Sequence, residues 1–271
     1  MRRKMRAPFR RAAAAALALA AWAPLAHAAD APEASVNLPV RFAGLPVGAM
    51  EYTVRVEGDR YTVDGTGRTG GVGRLVSSAS STFRSRGRLG DGRPVPQSHS
   101  VSYRDGAKEG TAAIRFRPGA RPTASETPPP TPGKSRVPVT DAMLEGALDP
   151  TSAMLVPAPP DASAATVCGR TIRVWDARNV FDLALAPQGS NRLADGTPTH
   201  VCTVRYTPLG GHSSTSRGVQ RFSRNRSIRI EFAPLFPVGA AEGTGLWGLV
   251  GFRMKTRFGI VRGRAEGVDG P

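Results

Sequence analysis

The chain has 271 residues, with 37 Lys+Arg against 21 Asp+Glu, and a formal net charge of +16. Its 31 Gly and 24 Pro exclude a long helical bundle or coiled coil, and its 2 Cys exclude a disulfide-rich miniprotein. The 40% hydrophobic fraction is enough to fill a core, which argues against wholesale disorder.

The first 28 residues have the pattern of a secretory signal peptide. Six basic residues and no acid lie between Met1 and Arg11, and an Ala/Leu-rich run follows that ends near Trp22. Ala26-His27-Ala28 then offers small residues at a cleavage site. We therefore predict export to the periplasm with cleavage after Ala28, by the general secretory or the twin-arginine route. No other segment is apolar enough to span a bilayer, so we expect no transmembrane segment after cleavage.

Cleavage changes the interpretation of the charge. Residues 29–271 keep 31 Lys+Arg against 21 Asp+Glu. An exported protein does not meet chromosomal DNA, so we expect no nucleic-acid partner. The remaining positive charge suits an anionic lipid, lipopolysaccharide or another envelope component, including an envelope protein.

Short alternating segments predict strands along most of the mature chain. Residues 29–40 are predicted to be a disordered mature N-terminus, and residues 118–138 a proline-rich loop. The strand candidates are Val47–Val56, Arg60–Val63, Leu75–Phe83, Pro96–Tyr103, Gly110–Arg117, Thr171–Trp175, Val180–Ala186, Val201–Tyr206, Gly218–Phe222, Ser227–Phe232, Gly251–Thr256 and Phe258–Ala265.

One helix interrupts the strands. Thr140 or Asp141 caps an apolar stripe that extends to Leu148, and Asp149-Pro150 ends it. A second helical turn is predicted from Pro150 to Leu155. Together these elements predict a mainly β, single-domain protein at 41–266, followed by a tail at 267–271. Its large antiparallel sheet is expected to curl into a barrel or half-barrel, with one or two short helices.

The two cysteines, Cys168 and Cys202, are 34 residues apart and each flanks a strand candidate. Export to an oxidising compartment favours a disulfide between them. Two alternatives remain, namely two free thiols or a metal site that also uses His200 and His212. The spacing matches none of the usual zinc patterns, so no metal is predicted.

The catalytic motifs are weak. Gly65–Gly70 matches G-x-G-x-x-G, but no helix is predicted to begin at its last glycine, so a bend between strands is the better interpretation and no cofactor is expected. His99 lies in a strand candidate and is interpreted as a sheet residue with satisfied hydrogen bonds. Ser213 or Ser214 with His99, His200 or His212 remains a possible nucleophile pair by spacing, although G-x-S-x-G is absent.

Five short segments follow one another in a particular order. They are Gly44–Gly48 with the tyrosine-containing strands after it, the glycine-rich bend ending near Gly73, Asp149–Leu155, Cys168–Arg178 with Phe181-Asp182-Leu183 and Cys202, and Met254–Gly259. In these motifs the chain resembles the exported proteobacterial domain-of-unknown-function family numbered 3108. Ala177 stands where that family tends to have Gly, and Asn179-Val180-Phe181 replaces a more basic stretch. The resemblance implies a periplasmic β-rich protein without established catalytic residues, so no active site is transferred.

These observations favour a noncatalytic periplasmic envelope protein. Its curled sheet would present a concave face to a lipid, an acyl chain or an envelope polymer. The candidate lining residues are Trp175, Phe181, Trp247 and Phe252. Two alternatives are an envelope hydrolase that uses His212 with Ser213 or Ser214, and a structural or interaction protein of the envelope machinery.

Overall fold

The computed structural model describes residues 31–90, 92–129, 135–236 and 245–270. Residues from Ala31 onward form one compact unit. The predicted signal peptide, residues 1–28, lies outside the described residues. No helix in the described part of the chain is long and apolar enough to cross a membrane.

The first half of the sheet is a meander in which each strand pairs antiparallel with the next. Apolar side chains alternate with polar ones along these strands, so one face is buried and the other meets water. The strands are β1 (Glu33–Phe42), β2 (Leu45–Glu57), β3 (Arg60–Thr69), β4 (Ser80–Gly90), β5 (Arg93–Asp105), β6 (Lys108–Arg117) and β7 (Ala120–Thr127).

The second half contains the remaining strands and three short helices. The strands are β8 (Leu155–Pro157), β9 (Thr171–Trp175), β10 (Val180–Arg192), β11 (Pro198–Gly210), β12 (Arg229–Pro234), β13 (Leu246–Thr256) and β14 (Gly259–Arg264). The helices are α1 (Asp141–Leu144), α2 (Ala164–Cys168) and α3 (Arg217–Ser223), and 3₁₀ turns lie at Gly71–Leu75 and Ser152–Met154.

One sheet contains all 14 strands of the residues that the structure describes. Its order is β7-β6-β5-β4-β3-β2-β1-β14-β13-β12-β11-β10-β9, with β8 paired to β13 off this path. The first and last strands, β1 and β14, pair antiparallel and thereby join the two halves. The sheet is antiparallel throughout and is not closed, because β7 and β9 remain its edges.

The sheet is curled. Buried residues of β1, β2 and β3 share a cluster with Leu235, Phe236, Leu246 and Val250 from the far half. Near the two edges, Glu126 of β7 forms an ion pair with Arg178, which lies between β9 and β10. The predicted fold class, a mainly β protein with a large curled antiparallel sheet, is therefore confirmed.

The core side of the sheet is filled by protein. The segment 144–158 contributes Leu144, Ala147, Leu148, Leu155, Val156 and Ala158, all of which are buried. These residues belong to three hydrophobic clusters that together line the core face. The segment therefore occupies the space that the curl of the sheet surrounds.

Two predicted boundaries need correction. Residues 33–40, predicted to be disordered, lie in β1, and β1 pairs with β2 over its whole length. The predicted proline-rich loop 118–138 contains β7, which is an edge strand. An edge strand tolerates Pro122 because one of its sides needs no ladder hydrogen bonds.

Helical elements also differ from the prediction. The predicted helix ends at Leu144, and Gly146 has a φ of +68° that a continuing helix does not allow. The predicted strand Gly218–Phe222 is part of α3, whose N-terminus is capped when the Ser216 side chain accepts from the Val219 N–H. Part of the predicted strand Leu75–Phe83 is loop, since β4 begins at Ser80.

Candidate functional site

Of the four predicted lining residues, Trp175 and Trp247 are buried in the core, and Phe181 and Phe252 are partly buried against it. Trp247 is 1% exposed, stacks on His200 with 4.8 Å between ring centroids, and donates its indole N–H to Pro159 O at 2.8 Å. It shares one cluster with Phe181, whereas Trp175 and Phe252 belong to two other clusters. The structure therefore distributes these aromatic side chains over three packed regions and does not bring them together around one site.

A buried polar network surrounds Asp149, which lies within the segment 144–158 that fills the sheet. Its carboxylate accepts hydrogen bonds from Ser85 Oγ at 2.6 Å, Ser152 Oγ at 2.5 Å and the Ser152 N–H at 2.9 Å. His99 Nδ1 lies 3.3 Å from the same carboxylate, and Tyr61 Oη is 2.6 Å from Ser152 Oγ. Burial lowers the pKa of His99, although Asp149 and the Arg84 backbone oppose this effect. Burial also raises the pKa of Tyr61.

This network contains a serine, a histidine and an aspartate, but its geometry is not that of a nucleophilic triad. A triad needs the serine and the carboxylate on opposite ring nitrogens of the histidine. Here Ser85 Oγ lies 3.0 Å from His99 Nδ1, the same nitrogen that faces Asp149. Ser85 and Asp149 are fully buried, so a substrate has no access to them. The arrangement anchors the segment 149–152 to β4 and β5, and the interpretation of His99 as a satisfied sheet residue is confirmed.

The predicted hydrolase residues have other partners. Ser213 Oγ lies 2.9 Å from Ser135 Oγ, and Ser214 Oγ donates to Ser135 O at 3.1 Å. Within the described ranges neither hydroxyl hydrogen-bonds to a histidine, so no activated serine is assembled there. The same ranges contain no group of three or more His, Cys, Asp or Glu that could hold a metal ion.

Cys168 and Cys202 form the predicted disulfide, with 5.4 Å between their Cα atoms. It joins the end of α2 to the middle of β11, and both cysteines are fully buried. The cysteines are therefore structural, and His200 contacts Trp247 and the Ala162 carbonyl.

A polar groove of about 1020 Å³ crosses the outer face of β1–β6. Two rows of side chains cross these strands. Within each row, the residues of neighbouring strands lie directly opposite one another in the sheet register. The first row is Ser35, Thr53, Asp64, Arg84 and Ser100, and the second is Asn37, Glu51, Thr66, Thr82, Ser102 and Thr111.

Hydrogen bonds order the floor of this polar groove. Ser35 Oγ lies 2.9 Å from Thr53 Oγ1, and Thr82 Oγ1 lies 2.7 Å from Ser102 Oγ. Arg84 forms an ion pair with Asp64, and Arg68 beside the groove pairs with Glu51. Each paired hydroxyl keeps at least one lone pair or hydrogen for a ligand, because a hydroxyl is both donor and acceptor.

The polar groove was not predicted. In the sequence its residues are the polar half of each alternating pattern, which is equally typical of an ordinary solvated face. The only available signal was the abundance of Ser and Thr at outward positions of successive strands. Register decides which of them align, and register is not visible before the hairpins are known.

Comparison with known proteins places the chain in a family. The family model described as "Protein of unknown function (DUF3108)" matches residues 38–240. The chain belongs to this family. No match was found among the curated proteins.

Among solved structures, the chain is similar to a protein from Brucella abortus described as a beta-barrel-like protein of domain of unknown function DUF1849. The two are 12% identical, and the match covers 89% of this chain and 98% of the other, with a TM-score of 0.44.

Proposed function

We propose that this DUF3108 protein is a noncatalytic envelope protein that binds a hydroxyl-rich polymer, such as a glycan strand, in the polar groove. The observation that carries the proposal is the alignment of two rows of polar side chains, one across five neighbouring strands and one across six. The envelope location follows from the predicted signal peptide.

The dimensions of the polar groove favour a chain-like ligand. Neighbouring strands are about 4.8 Å apart, so six strands extend about 24 Å. A groove of this length that is open along its side receives several units of a polymer. A compact small molecule would leave most of it unused.

The chemistry of the polar groove favours a ligand rich in hydroxyl groups. Seven of the residues that line it carry a Ser or Thr hydroxyl, and its charged residues include the Arg84–Asp64 ion pair. Hydroxyls of a sugar both donate and accept, as do Ser and Thr. An acyl chain gains little on such a surface, and the apolar core face already packs against the segment 144–158.

The test is cosedimentation of residues 29–271 with purified peptidoglycan sacculi, followed by calorimetry with soluble glycan fragments. Replacing Thr82→Val and Ser102→Ala together removes two hydroxyls from the centre of the polar groove. Each hydrogen bond contributes about 1 kcal/mol, so affinity is expected to fall about tenfold or more. Thr123→Val on β7, outside the groove, is the matched control and should leave affinity unchanged. Absence of binding by the unmodified protein, or equal affinity of the groove variant, would refute the proposal.

A further inference from the structure

Exposed apolar side chains gather at the tips of three neighbouring loops. Five of them form what we call the apolar tip, and their exposed fractions are far above those of core residues: Leu45 55%, Val72 41%, Leu75 85%, Val76 88% and Phe258 70%. Exposed apolar side chains grouped in this way are typical of an interaction surface.

The loops that carry the apolar tip contact one another. The Gly70 N–H donates to Val47 O at 3.0 Å, which holds the 3₁₀ turn against the start of β2. On the other side, the Ala43 N–H donates to Ile260 O at 2.9 Å, which joins the β1–β2 turn to the β13–β14 turn. The three loops that carry the apolar tip are therefore joined side by side at one end of the sheet.

Glycines hold the apolar side chains outward. Gly71 has a φ of +53°, and Gly73 is buried against Val47 and Thr69, where no side chain would fit. The backbone of this turn therefore packs on β2, and the side chains of Val72, Leu75 and Val76 face solvent. This geometry presents apolar groups to water.

Basic residues predominate around the apolar tip, although the Asp105 carboxylate accepts hydrogen bonds from the Ser77 hydroxyl and the Ser78 N–H of the loop that carries Val76. The segments 41–48, 70–79, 217–229 and 253–262 contain eleven Lys or Arg and no Asp or Glu. The last two are joined by the Asn225 side chain, which donates to Lys255 O at 2.9 Å. Outside these four segments, residues 29–271 hold 20 basic residues against 21 acids. The net positive charge of residues 29–271 therefore comes from the four segments.

Four arginines of these segments form a row across the sheet, which we call the arginine row. Arg41 lies opposite Arg262, Arg262 opposite Arg253, and Arg253 opposite Arg229, on β1, β14, β13 and β12. Like charges directly opposite one another destabilise a sheet. None of the eleven basic residues forms an ion pair within the described ranges, whereas nine other arginines do.

The arginine row faces a pocket of about 490 Å³ that is lined by Arg229, Arg253 and Arg262. The carboxylate that lines this pocket, Glu231, forms its ion pair with Arg264 at 2.8 Å. It therefore does not neutralise the guanidinium groups of the three lining arginines. Guanidinium groups bind phosphate through parallel hydrogen bonds. The pocket therefore suits an anionic phosphate group.

We propose that this end of the sheet docks on an anionic phospholipid surface. The apolar tip enters the boundary between headgroups and acyl chains, and the arginine row contacts headgroup phosphates. Arg41 is two residues from the β1–β2 turn, and Arg253 and Arg262 are each four residues from the β13–β14 turn, which is about 7 to 14 Å along a strand. Surface-bound apolar groups enter a bilayer by about 5 to 10 Å, so long arginine side chains then lie at phosphate level.

The apolar tip distinguishes a membrane from a soluble polyanion. A polyanion would be held by the arginines alone and has no use for Leu75, Val76 or Phe258. Arg257 stacks over the Phe258 ring at 4.2 Å from its centroid, so the tip combines charge and apolar surface in one loop. The proposal concerns a different surface from the polar groove and does not depend on it.

The experiment is flotation of residues 29–271 with vesicles of phosphatidylcholine alone or with about one third phosphatidylglycerol. We expect binding only to the anionic vesicles, with loss at high salt. Arg253→Gln with Arg262→Gln should weaken binding about 30-fold, and Arg86→Gln with Arg115→Gln should weaken it far less, although it removes the same charge from exposed residues of β4 and β6.

Insertion of the apolar tip has its own readout. A Phe258→Trp variant should show a blue shift and quenching by brominated lipid when anionic vesicles are added. Leu75→Ser with Val76→Ser changes only exposed side chains, so the fold is kept while vesicle binding falls. Equal loss from both arginine pairs, absence of the blue shift, or binding to heparin with no binding to vesicles would overturn the proposal.

Discussion

Ala177 occupies a backbone conformation that favours glycine. Its φ is +80°, in the turn between β9 and β10, and the Asp176 carboxylate closes this turn by accepting from the Arg178 N–H at 3.0 Å and the Asn179 N–H at 2.6 Å. A side chain in the left-handed region costs about 1–2 kcal/mol.

We predict that Ala177→Gly stabilises the protein. The free energy gained by relieving the backbone strain exceeds the free-energy cost of the greater conformational entropy of Gly in the unfolded chain. The free energy of unfolding should therefore rise by about 0.5–1 kcal/mol. Urea denaturation measures this change. Ala113→Gly in the interior of β6 is the matched control and should lower the free energy of unfolding by a similar amount. A loss of stability in both variants would contradict the strain at Ala177.

The residues of the proposed binding surfaces were the hardest to predict from the sequence. Arg41, Arg229, Arg253 and Arg262 are far apart in sequence, and only the pairing of β1 with β14 brings the first beside the others. The disulfide was predictable because the sequence has only two cysteines and the predicted export favours their oxidation. Asp149 was visible as part of a motif, but its partners Ser85 and His99 come from other strands.

At the scale of elements, α2 depends on its connection to the sheet. It has five residues, Ala164–Cys168, and a helix of this length is not stable by itself. Its buried side chains, Val167 and Cys168, join the cluster around Trp247, and the disulfide fixes its last residue to β11.

We predict that loss of the disulfide lowers stability substantially. Closing a loop of 34 residues contributes about 3–4 kcal/mol in the chain-entropy model. The Cys168→Ala/Cys202→Ala variant should therefore melt at a lower temperature than the oxidised protein. A reductant should lower the melting temperature of the unmodified protein and leave that of the variant unchanged. If reduction leaves both unchanged, the disulfide has no stabilising role.

Secondary structure was predictable where apolar and polar side chains alternate along a strand. It was predicted wrongly where capping or the position of a strand in the sheet determines it. The hairpins of β2–β3 and β5–β6 follow from alternation and from turns such as Asp105-Gly106, in which Gly106 has a φ of +60°. In α3, Val219 and Phe222 are three residues apart, which is a helical spacing, and the Ser216 cap also indicates a helix, so both signals were overlooked when a strand was predicted there. The edge strand β7 is mostly polar and contains Pro122, so neither hydrophobicity nor propensity marked it.

At the scale of the whole molecule, the two halves of the sheet share a core. One cluster contains Val54 and Val63 from the first half together with Leu246 and Val250 from the second. Neither half buries these side chains without the other, because each contributes only one wall of the cluster. We therefore expect the halves to unfold together.

The prediction is a single unfolding transition in urea. In residues 29–271 both tryptophans, Trp175 and Trp247, lie in the second half, so fluorescence reports that half and far-UV circular dichroism reports the whole sheet. The two transitions should coincide. Val63→Ala in β3 should lower the fluorescence midpoint, at a cost of about 2 kcal/mol. Val76→Ala, which is 88% exposed in the native state, is the matched control and should leave the midpoint unchanged. Two separate transitions would show that the halves are independent.

The pairing of β1 with β14 also sets an order in time. The first strand of the fold is synthesised more than two hundred residues before the last, as the pair Val40 and Gly263 illustrates. Until β14 exists, one side of β1 is an open template for strands of other chains. Pro39 in β1 has no N–H to offer to such a strand, so it protects this edge during the interval.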